Sequence, residues 1–325
     1  MLFLSEKDIK NCLSFNECMD AVEKAYELFY KNDFYMPPRP CIEHNEDTLL
    51  YMPCFIPEVF GTKFLTLFPN NPSKGKPFID GLIVLNNGDD GETKAIMNGR
   101  FVTAIRTGAN SGVGIKYTTR KDASTCGLIG AGVQGLYQMI YACYARNIER
   151  VYVFDAYTKD FSKFLNSAKD MLPKNRVIDI IIVDNVEDLV RQSQIIICAT
   201  TSKTPVLPND SNLLKGKNII AIGSYKKSDR ECPDALFEVV DNVYTDLNFA
   251  KEESGDLYTP IKNGLFKSED VIQLSDLIYD EKYQNHQIGE TTFYKPVGMA
   301  LFDIVVGEAV YQNAIKKNIG VEVEL

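Results

Sequence analysis

The spacing of apolar residues predicts a helix near the N-terminus, followed by a sheet of short strands. Ser14-x-x-Glu17 is a capping box, and the apolar residues from Phe15 to Phe29 recur at helix spacing. Residues 89–92 have the composition of a hairpin turn between two strands, so we predict an antiparallel sheet. Its β-prone runs lie at 48–52, 63–68, 81–85 and 93–97.

A different pattern begins near residue 120, where buried strands alternate with helical stretches. Such alternation predicts a parallel sheet with helices on both faces. We therefore predict an α/β fold with a doubly wound parallel sheet. The strand runs lie at 126–129, 151–155, 178–183, 195–199, 219–223 and 239–244.

The last helical stretch, 297–317, lies outside this alternation and follows a short β-prone run at 291–294. Its apolar residues share one face, so we expect it to pack back on the N-terminal part of the chain. That packing makes the first domain discontinuous. The predicted domains are therefore an α+β domain of residues 1–117 with 297–325, and a parallel-sheet domain of residues 118–296.

Three glycines occupy the turn between the first parallel strand and its helix, in the pattern Gly130-x-Gly132-x-x-Gly135. Asp155 ends the next strand, 20 residues after Gly135 (155 − 135), where a ribose-binding acid is expected. This order predicts a Rossmann-type dinucleotide site, although an ordinary glycine turn is the alternative. Asp155 repels a 2′-phosphate and favours NAD, while Lys159 keeps NADP possible.

Small polar residues follow two of the later strands, at the edge of a parallel sheet where ligands bind. These are Cys198-Ala-Thr-Thr-Ser202 and Ile222-Gly-Ser224. Their hydroxyl and N–H groups can line a nicotinamide ribose. Turn-forming serine and threonine residues explain the same composition, so both interpretations stand.

Three cations are candidates for binding a small carboxylate. Arg106 shares the apolar face of the predicted helix 101–117, and a buried arginine needs an anion, which is either an internal acid or a ligand. Arg39 lies between prolines, a stiff position that pre-orients it, although surface arginines are commoner. Lys63 starts an apolar strand; such a lysine is usually solvated, but burial beside cations would lower its pKa for proton transfer.

Composition narrows the class of protein. The chain has 325 residues, a net charge of −9 and a pI near 5.0, which does not suit nucleic-acid binding. We expect no signal peptide, because the first residues lack a basic start and a long apolar run, and no apolar stretch is long enough for a membrane helix. Eight cysteines without a C-x-x-C pair predict reduced thiols in a cytoplasmic protein, and two histidines form no metal cluster.

Taken together, these motifs resemble the ornithine cyclodeaminase/mu-crystallin family over nearly the whole chain. An Arg-Thr helix upstream of a glycine-Gln fingerprint is a specific combination. The matching segments are Met52-Pro53, Lys63, Phe68-Pro-Asn70, Thr103-Ala-Ile-Arg-Thr-Gly108, Gly130-Ala-Gly-Val-Gln134, Ala199-Thr-Thr-Ser202, Arg230-Glu231, Lys295-Pro-Val-Gly-Met-Ala300 and Asp303.

The resemblance implies roles for individual residues. Arg39, Lys63 and Arg106 would hold the substrate α-carboxylate, with Lys63 also acting as acid or base near Cα. Asp155 would bind the adenosine ribose. Arg106 and Thr107 would lie close to the nicotinamide end and the pyrophosphate. The pyrophosphate would rest on Gly130, Ala131, Gly132, Val133 and Gln134. The nicotinamide side would be lined by Ala199, Thr200, Thr201, Ser202 and Ser224. The resemblance also implies a homodimer formed through the first domain.

The chemistry varies within the family, so the reaction stays open. Ornithine cyclodeaminases place acids near the distal amine of ornithine, at positions that align here with Leu50 and Tyr225. Neither side chain can pair with an ammonium, although Asp229 lies nearby. We therefore predict an NAD(P)-dependent oxidoreductase acting at the α-carbon of a small amino acid or its cyclic imine. The alternatives are ornithine cyclodeamination without net redox and a non-catalytic, mu-crystallin-like binding protein.

Overall fold

The computed structural model describes residues 1–324 and contains two compact units. Unit 1 comprises Met1–Arg106 and the chain from Met299 onward, and unit 2 comprises Thr107–Gly298. The first boundary between the units follows Arg106 and lies inside a helix, Gly99–Thr118. The sequence pattern predicts this boundary later, after residue 117.

Unit 1 is built on a seven-stranded sheet. Its strands are β1 (Leu2–Leu4), β2 (Cys41–His44), β3 (Asp47–Ile56), β4 (Val59–Leu67), β5 (Ile79–Asn87), β6 (Thr93–Asn98) and β15 (Val321–Glu322), in the order β15-β1-β6-β5-β4-β3-β2. The strands from β6 to β2 pair antiparallel, as the hairpin pattern predicts. Its helices are α1 (Glu6–Cys12), α2 (Phe15–Tyr30), the first part of α3 (Gly99–Thr118) and α12 (Ala300–Lys317).

Helix α12 covers one face of the unit 1 sheet. It packs on β3, β4 and β5 and against α2, where the rings of Tyr26 and Phe302 meet edge to face at 5.0 Å. The helix starts at Ala300, three residues later than predicted. Gly298 has a left-handed φ of 77°, which a continuing helix excludes, and Asp246 accepts the N–H groups of Val297 and Gly298.

Unit 2 contains an eight-stranded, entirely parallel sheet. Its strands are β7 (Thr125–Ile129), β8 (Arg150–Phe154), β9 (Asp179–Ile182), β10 (Ile195–Cys198), β11 (Asn218–Ala221), β12 (Asn242–Thr245), β13 (Val271–Gln273) and β14 (Thr292–Lys295), in the order β13-β12-β14-β11-β10-β7-β8-β9. Its helices are α4 (Val133–Ala145), α5 (Ser162–Met171), α6 (Val186–Gln192), α7 (Ser211–Leu214), α8 (Asp234–Phe237), α9 (Ala250–Glu253), α10 (Gly255–Lys262) and α11 (Leu274–Tyr279). The Rossmann-type fold is therefore confirmed.

The short β-prone run at 291–294 forms β14, which lies inside the parallel sheet, between β11 and β12. The predicted parallel-sheet domain, residues 118–296, includes this strand. No regular helix of four or more residues separates it from α11, so the alternation is interrupted before it.

Packing within unit 2 explains the small residues of α3. A Cβ added to Gly114 would lie 2.2 Å from the ring of Tyr294, and one added to Gly108 would lie 2.5 Å from the ring of Tyr141. The two rings therefore lie directly against the helix backbone. This contact holds the helix despite its low intrinsic propensity.

Candidate active site

A buried cluster of two cations and one carboxylate forms the centre of unit 1. Lys63 Nζ donates to Asp303 Oδ2 at 2.7 Å, and Arg106 Nε donates to Asp303 Oδ1 at 2.8 Å. Lys63 is 1% exposed, Arg106 6% and Asp303 0%. One carboxylate of α12 therefore bridges a lysine of β4 and an arginine of α3.

Strand alternation places Lys63 in this cluster. In β4 the odd-numbered residues from Val59 to Leu67 are buried, and Lys63 is the central one. It faces inward in the middle of the strand, paired with Met52 and Ile83 on the neighbouring strands. The sequence pattern places Lys63 at the start of a strand, where a lysine is usually solvated, whereas the structure places it buried at the centre of β4.

Burial lowers the pKa of Lys63 from 10.5 to about 8. The Asp303 carboxylate opposes this change, while Arg106 and Arg39 add to it by like-charge repulsion. A lysine in this state exchanges its proton near neutral pH, which is what acid–base chemistry requires. Both causes of the lowered pKa, burial and neighbouring cations, are those expected from the sequence.

The cluster carries an excess positive charge. Lys63 and Arg106 share a single carboxylate, and Arg39 lies half-buried within electrostatic range of the lysine. The structure settles one open question about Arg106, because its Nε pairs with an internal acid. Within residues 1–324, Nη1 and Nη2 of Arg106 have no hydrogen-bond partner, so a fork of donors remains for a ligand carboxylate.

In unit 2, the three glycines of the fingerprint have three different surroundings. A Cβ at Gly130, whose φ is 101°, would lie 2.5 Å from the carbonyl oxygen of Ala199, and one at Gly135 would lie 1.9 Å from that of Gly130. A Cβ at Gly132 would meet nothing within 4 Å. The first and third glycines permit close packing, while Gly132 borders open space into which a phosphate can approach the backbone.

Helix α4 presents uncapped N–H groups at the same place. Gly132 is its N-cap and supplies no side-chain acceptor, so the first turn is left for an anion. Val133 is 67% exposed, and Gln134 Oε1 is buried without a hydrogen-bond partner in the described chain. The glycine loop and this helix end fit the pyrophosphate of a dinucleotide.

Asp155 follows β8 and lies beside the glycine loop. Its Oδ2 accepts the N–H of Ala131 at 2.8 Å, and its Oδ1 accepts those of Tyr157 and Thr158. Burial raises the pKa of this carboxyl, but hydrogen bonds from the three backbone N–H groups and the Thr158 side chain together hold the pKa below its ordinary value. The side chain is therefore a fixed anion, with acceptor capacity left for ribose hydroxyls and repulsion for a 2′-phosphate.

The hydroxyl groups at the ends of β10 and β11 are engaged within the protein. Thr200 Oγ1 donates to Glu231, Ser202 Oγ donates to the carbonyl of Thr204, and Ser224 Oγ lies 2.7 Å from Ser254 Oγ. Ser224 is 1% exposed. Among the other predicted residues, Thr201 is exposed, whereas Ala199 and Thr107 are half-buried.

The two positions expected to hold acids in a cyclodeaminase lie in different units. Leu50 is half-buried on β3, opposite Leu65, and Tyr225 is 43% exposed in the loop after β11. Asp229, the nearby acid, accepts a hydrogen bond from Ser228 and is half-buried.

No role for Asp303 was predicted from the sequence, although the residue belongs to one of the motifs that match the family. The signal was available, because Asp303 is an acid inside the apolar run Ala300-Leu-Phe-Asp-Ile-Val-Val306. An acid that shares a buried helix face needs a cation. Glu231 and Asp256, both fully buried in unit 2, were also not predicted to have a role.

Across residues 1–324, no group of three or more His, Cys, Asp and Glu side chains is arranged to hold a metal ion. Over the same residues, no helix combines the length and the apolar character needed to cross a bilayer.

Comparison with known proteins gives similarity over the full length. A Delta(1)-pyrroline-2-carboxylate reductase of Bacillus cereus is 31% identical over 332 aligned positions, with 100% of both chains covered. The solved Delta(1)-pyrroline-2-carboxylate reductase of Thermococcus litoralis, in complex with NADH and L-proline, is 32% identical, with a TM-score of 0.91 and 99% and 100% of the two chains covered. An archaeal alanine dehydrogenase dimer with bound NAD is 29% identical, with a TM-score of 0.89 and 100% and 99% covered.

The model of one protein family matches residues 1–318. This match confirms the resemblance that the sequence motifs suggested. Because it spans both compact units and all but the last seven residues (325 − 318), the chain belongs to the ornithine cyclodeaminase/mu-crystallin family.

Proposed function

We propose that this protein is an NAD-dependent oxidoreductase that reduces a small cyclic imine carboxylate, or oxidises the corresponding amino acid, at the α-carbon. The observation that carries the proposal is the buried Lys63–Asp303–Arg106 cluster, which holds one more positive than negative charge. A substrate carboxylate supplies the missing anion. The relatives named as pyrroline-carboxylate reductase and alanine dehydrogenase support this class of reaction.

In this proposal the substrate is held by the arginines. The Nη1 and Nη2 groups of Arg106 donate to the α-carboxylate, and Arg39 adds a second positive charge. Asp303 orients both Arg106 and Lys63, because each of its oxygens accepts from one of them. A carboxylate fixed at this point places the adjacent Cα next to Lys63.

Lys63 then transfers the proton. With a pKa near 8, its Nζ is protonated in most molecules at neutral pH and can donate to the imine nitrogen, or take the proton back in the reverse direction. A bound nicotinamide supplies or accepts the hydride at Cα. NAD is favoured over NADP because the Asp155 carboxylate is ionised beside the glycine loop.

The far end of the substrate is proposed to be uncharged or closed in a ring. Leu50 and Tyr225 offer no carboxylate to a distal ammonium, and burying an unpaired ammonium is costly. This argues against ornithine cyclodeamination. A purely binding role is disfavoured because the lysine with the lowered pKa and its carboxylate partner are both in place.

A substrate screen tests the proposal. Absorbance of NADH is followed with Delta(1)-pyrroline-2-carboxylate and its six-membered homologue, and reduction of NAD is followed with L-proline and L-alanine. We expect NADH oxidation with a cyclic imine. No absorbance change with any of these compounds refutes the proposal, and mass-spectrometric detection of proline and ammonia from ornithine replaces it with cyclodeamination.

We also propose that unit 1 forms a homodimer. The outward face of β3, β4 and β5 carries Tyr51, Phe55 and Leu82, which are 37%, 46% and 48% exposed, and Phe55 stacks on Phe60 at 4.7 Å. A contiguous apolar sheet face of this kind favours a symmetric contact. The archaeal alanine dehydrogenase among the relatives is a dimer.

Light scattering after size exclusion tests the dimer. We expect a dimer for the wild type and a monomer for Phe55→Glu, because the substitution places a charge in the apolar face. A control at Tyr157, which is 93% exposed in unit 2, should leave the mass unchanged as Tyr157→Glu. An F55E variant that stays dimeric removes this face from the interface.

The free state of all eight cysteines supports a reducing, cytoplasmic location.

A further inference from the structure

A second buried charged cluster lies in unit 2, at the carboxyl ends of β10 and β11. Glu231 is fully buried and accepts three hydrogen bonds from the residues that follow these strands. Its Oε1 accepts the N–H of Thr200 at 2.7 Å and the Thr200 hydroxyl at 2.8 Å, and its Oε2 accepts the N–H of Gly223 at 2.6 Å. One carboxylate therefore ties two neighbouring strand ends together.

The two strand ends approach each other as closely as the backbone allows. A Cβ added to Gly223 would lie 1.9 Å from the carbonyl oxygen of Thr200 and 2.8 Å from Glu231 Oε1. The glycine is therefore required for this approach.

Two further charged side chains support Glu231. Asp256 Oδ1 accepts the N–H groups of Glu231 and Cys232, each at 2.9 Å. Lys295 Nζ donates to the carbonyl of Ala221 at 2.9 Å and lies 3.9 Å from Asp256 Oδ2. Asp256 and Lys295 are both 0% exposed. The network holds two carboxylates and one lysine out of water, which is costly, so its benefit must come from the geometry that it fixes.

Burial raises the pKa of Glu231, and Lys295 opposes this effect. All three groups that contact its oxygens are donors, an arrangement that only an ionised carboxylate satisfies completely. Lys295 therefore keeps the Glu231 carboxylate ionised, and the ionised carboxylate holds the two strand ends together.

Strand order shows which part of a dinucleotide this network faces. The glycine loop follows β7, Asp155 follows β8 on one side, and β10 and β11 lie on the other side. A dinucleotide crosses the carboxyl edge of such a sheet, with its pyrophosphate at the glycine loop. With the adenosine ribose at Asp155, the nicotinamide riboside would lie toward the ends of β10 and β11.

Building on the proposed NAD-dependent function, we propose that Glu231 is a positioning residue for the nicotinamide end of the cofactor. It acts through the backbone of Thr200 and Gly223, since its own side chain is fully buried. The Lys295–Asp256 pair holds the segment that carries Glu231. The adenosine half of the site, at Asp155 and the glycine loop, does not depend on this network.

Calorimetric titration of the full chain with two ligands separates these halves. NADH covers the whole site, whereas ADP covers the adenosine and pyrophosphate part alone. In Glu231→Gln an amide donor replaces one acceptor, so one of the hydrogen bonds to the strand ends is lost. We expect NADH affinity to fall about tenfold or more, the equivalent of one hydrogen bond to a charged group, with ADP affinity unchanged.

The matched control is Asn218→Ala. Asn218 is also fully buried, lies at the opposite end of β11, and makes three hydrogen bonds, to Arg120, Glu290 and Thr292. This variant should lower the thermal midpoint without changing the ratio of NADH to ADP affinity.

The outcomes are distinct. A selective loss of NADH affinity in E231Q supports the proposal. Unchanged NADH affinity overturns it, and so does a parallel loss of NADH and ADP affinity, which assigns Glu231 to general stability of unit 2. A wild-type protein that binds ADP and not NADH overturns the proposed function itself, whatever the variant does.

Discussion

Replacing Asp303 by asparagine should move the pH dependence of the reaction. Asp303 raises the pKa of Lys63 against the effects of burial and of the two arginines. Asp303→Asn keeps the shape of the side chain and removes its charge. The pKa of Lys63 should therefore fall below its wild-type value of about 8.

The size of the change follows from the geometry. Lys63 Nζ donates to Asp303 Oδ2 at 2.7 Å with both groups out of water, so the lost interaction is a charge-assisted hydrogen bond. Such a bond contributes about 1.5–3 kcal/mol. At about 1.4 kcal/mol per pKa unit, the pKa of Lys63 should fall by about 1–2 units.

The assay is kcat/KM for imine reduction as a function of pH. Protonated Lys63 is the proton donor, so wild-type activity should decline as pH rises through about 8, and D303N activity should decline about 1–2 units lower. Glu308→Gln is the matched control, because Glu308 lies on the same helix and pairs with Lys94 at 2.9 Å, in a partly exposed position. A decline that stays at the wild-type pH in D303N, or moves to higher pH, refutes the role given to this cluster.

Three further predictions follow from single residues. Lys63 titrates near pH 8 in the folded protein and near 10.5 in the unfolded chain, so between these pH values the unfolded chain binds one more proton. Urea titrations should therefore show the free energy of unfolding of the wild type rising with pH across that window, by about 3 kcal/mol relative to Lys63→Met. A difference between the two proteins that does not change with pH would contradict the lowered pKa. Gly132→Ala should fold normally but weaken NADH binding. Gly135→Ala should lower the thermal midpoint of unfolding, because its Cβ would lie 1.9 Å from the Gly130 carbonyl oxygen. Equal stability of the two variants would contradict this contrast. Asp155→Asn should lower the ratio of kcat/KM for NADH over NADPH by about tenfold, as expected for removing one repulsive charge, and an unchanged ratio would remove Asp155 from cofactor choice.

Much of the fold could be predicted from local patterns. The strands that form the antiparallel hairpins and the repeated βα units have clear periodicity, and the structure contains them with boundaries shifted by a few residues. The missed strands β1, β2, β13 and β15 have two to four residues each, too few to show a clear period of two. Their pairing is decided by neighbouring strands, not by their own composition.

The sequence by itself determined the glycine loop, the acid after β8 and the inward arginine, because each depends on spacing within one element or between adjacent ones. Only the tertiary structure decided what these groups face. Lys63 and Asp303 are 240 positions apart, and Arg106 and Asp303 are 197 apart, so no local pattern could pair them. The burial that lowers the pKa of Lys63, and the excess positive charge left for a carboxylate, arise only when β4, α3 and α12 pack together and exclude water.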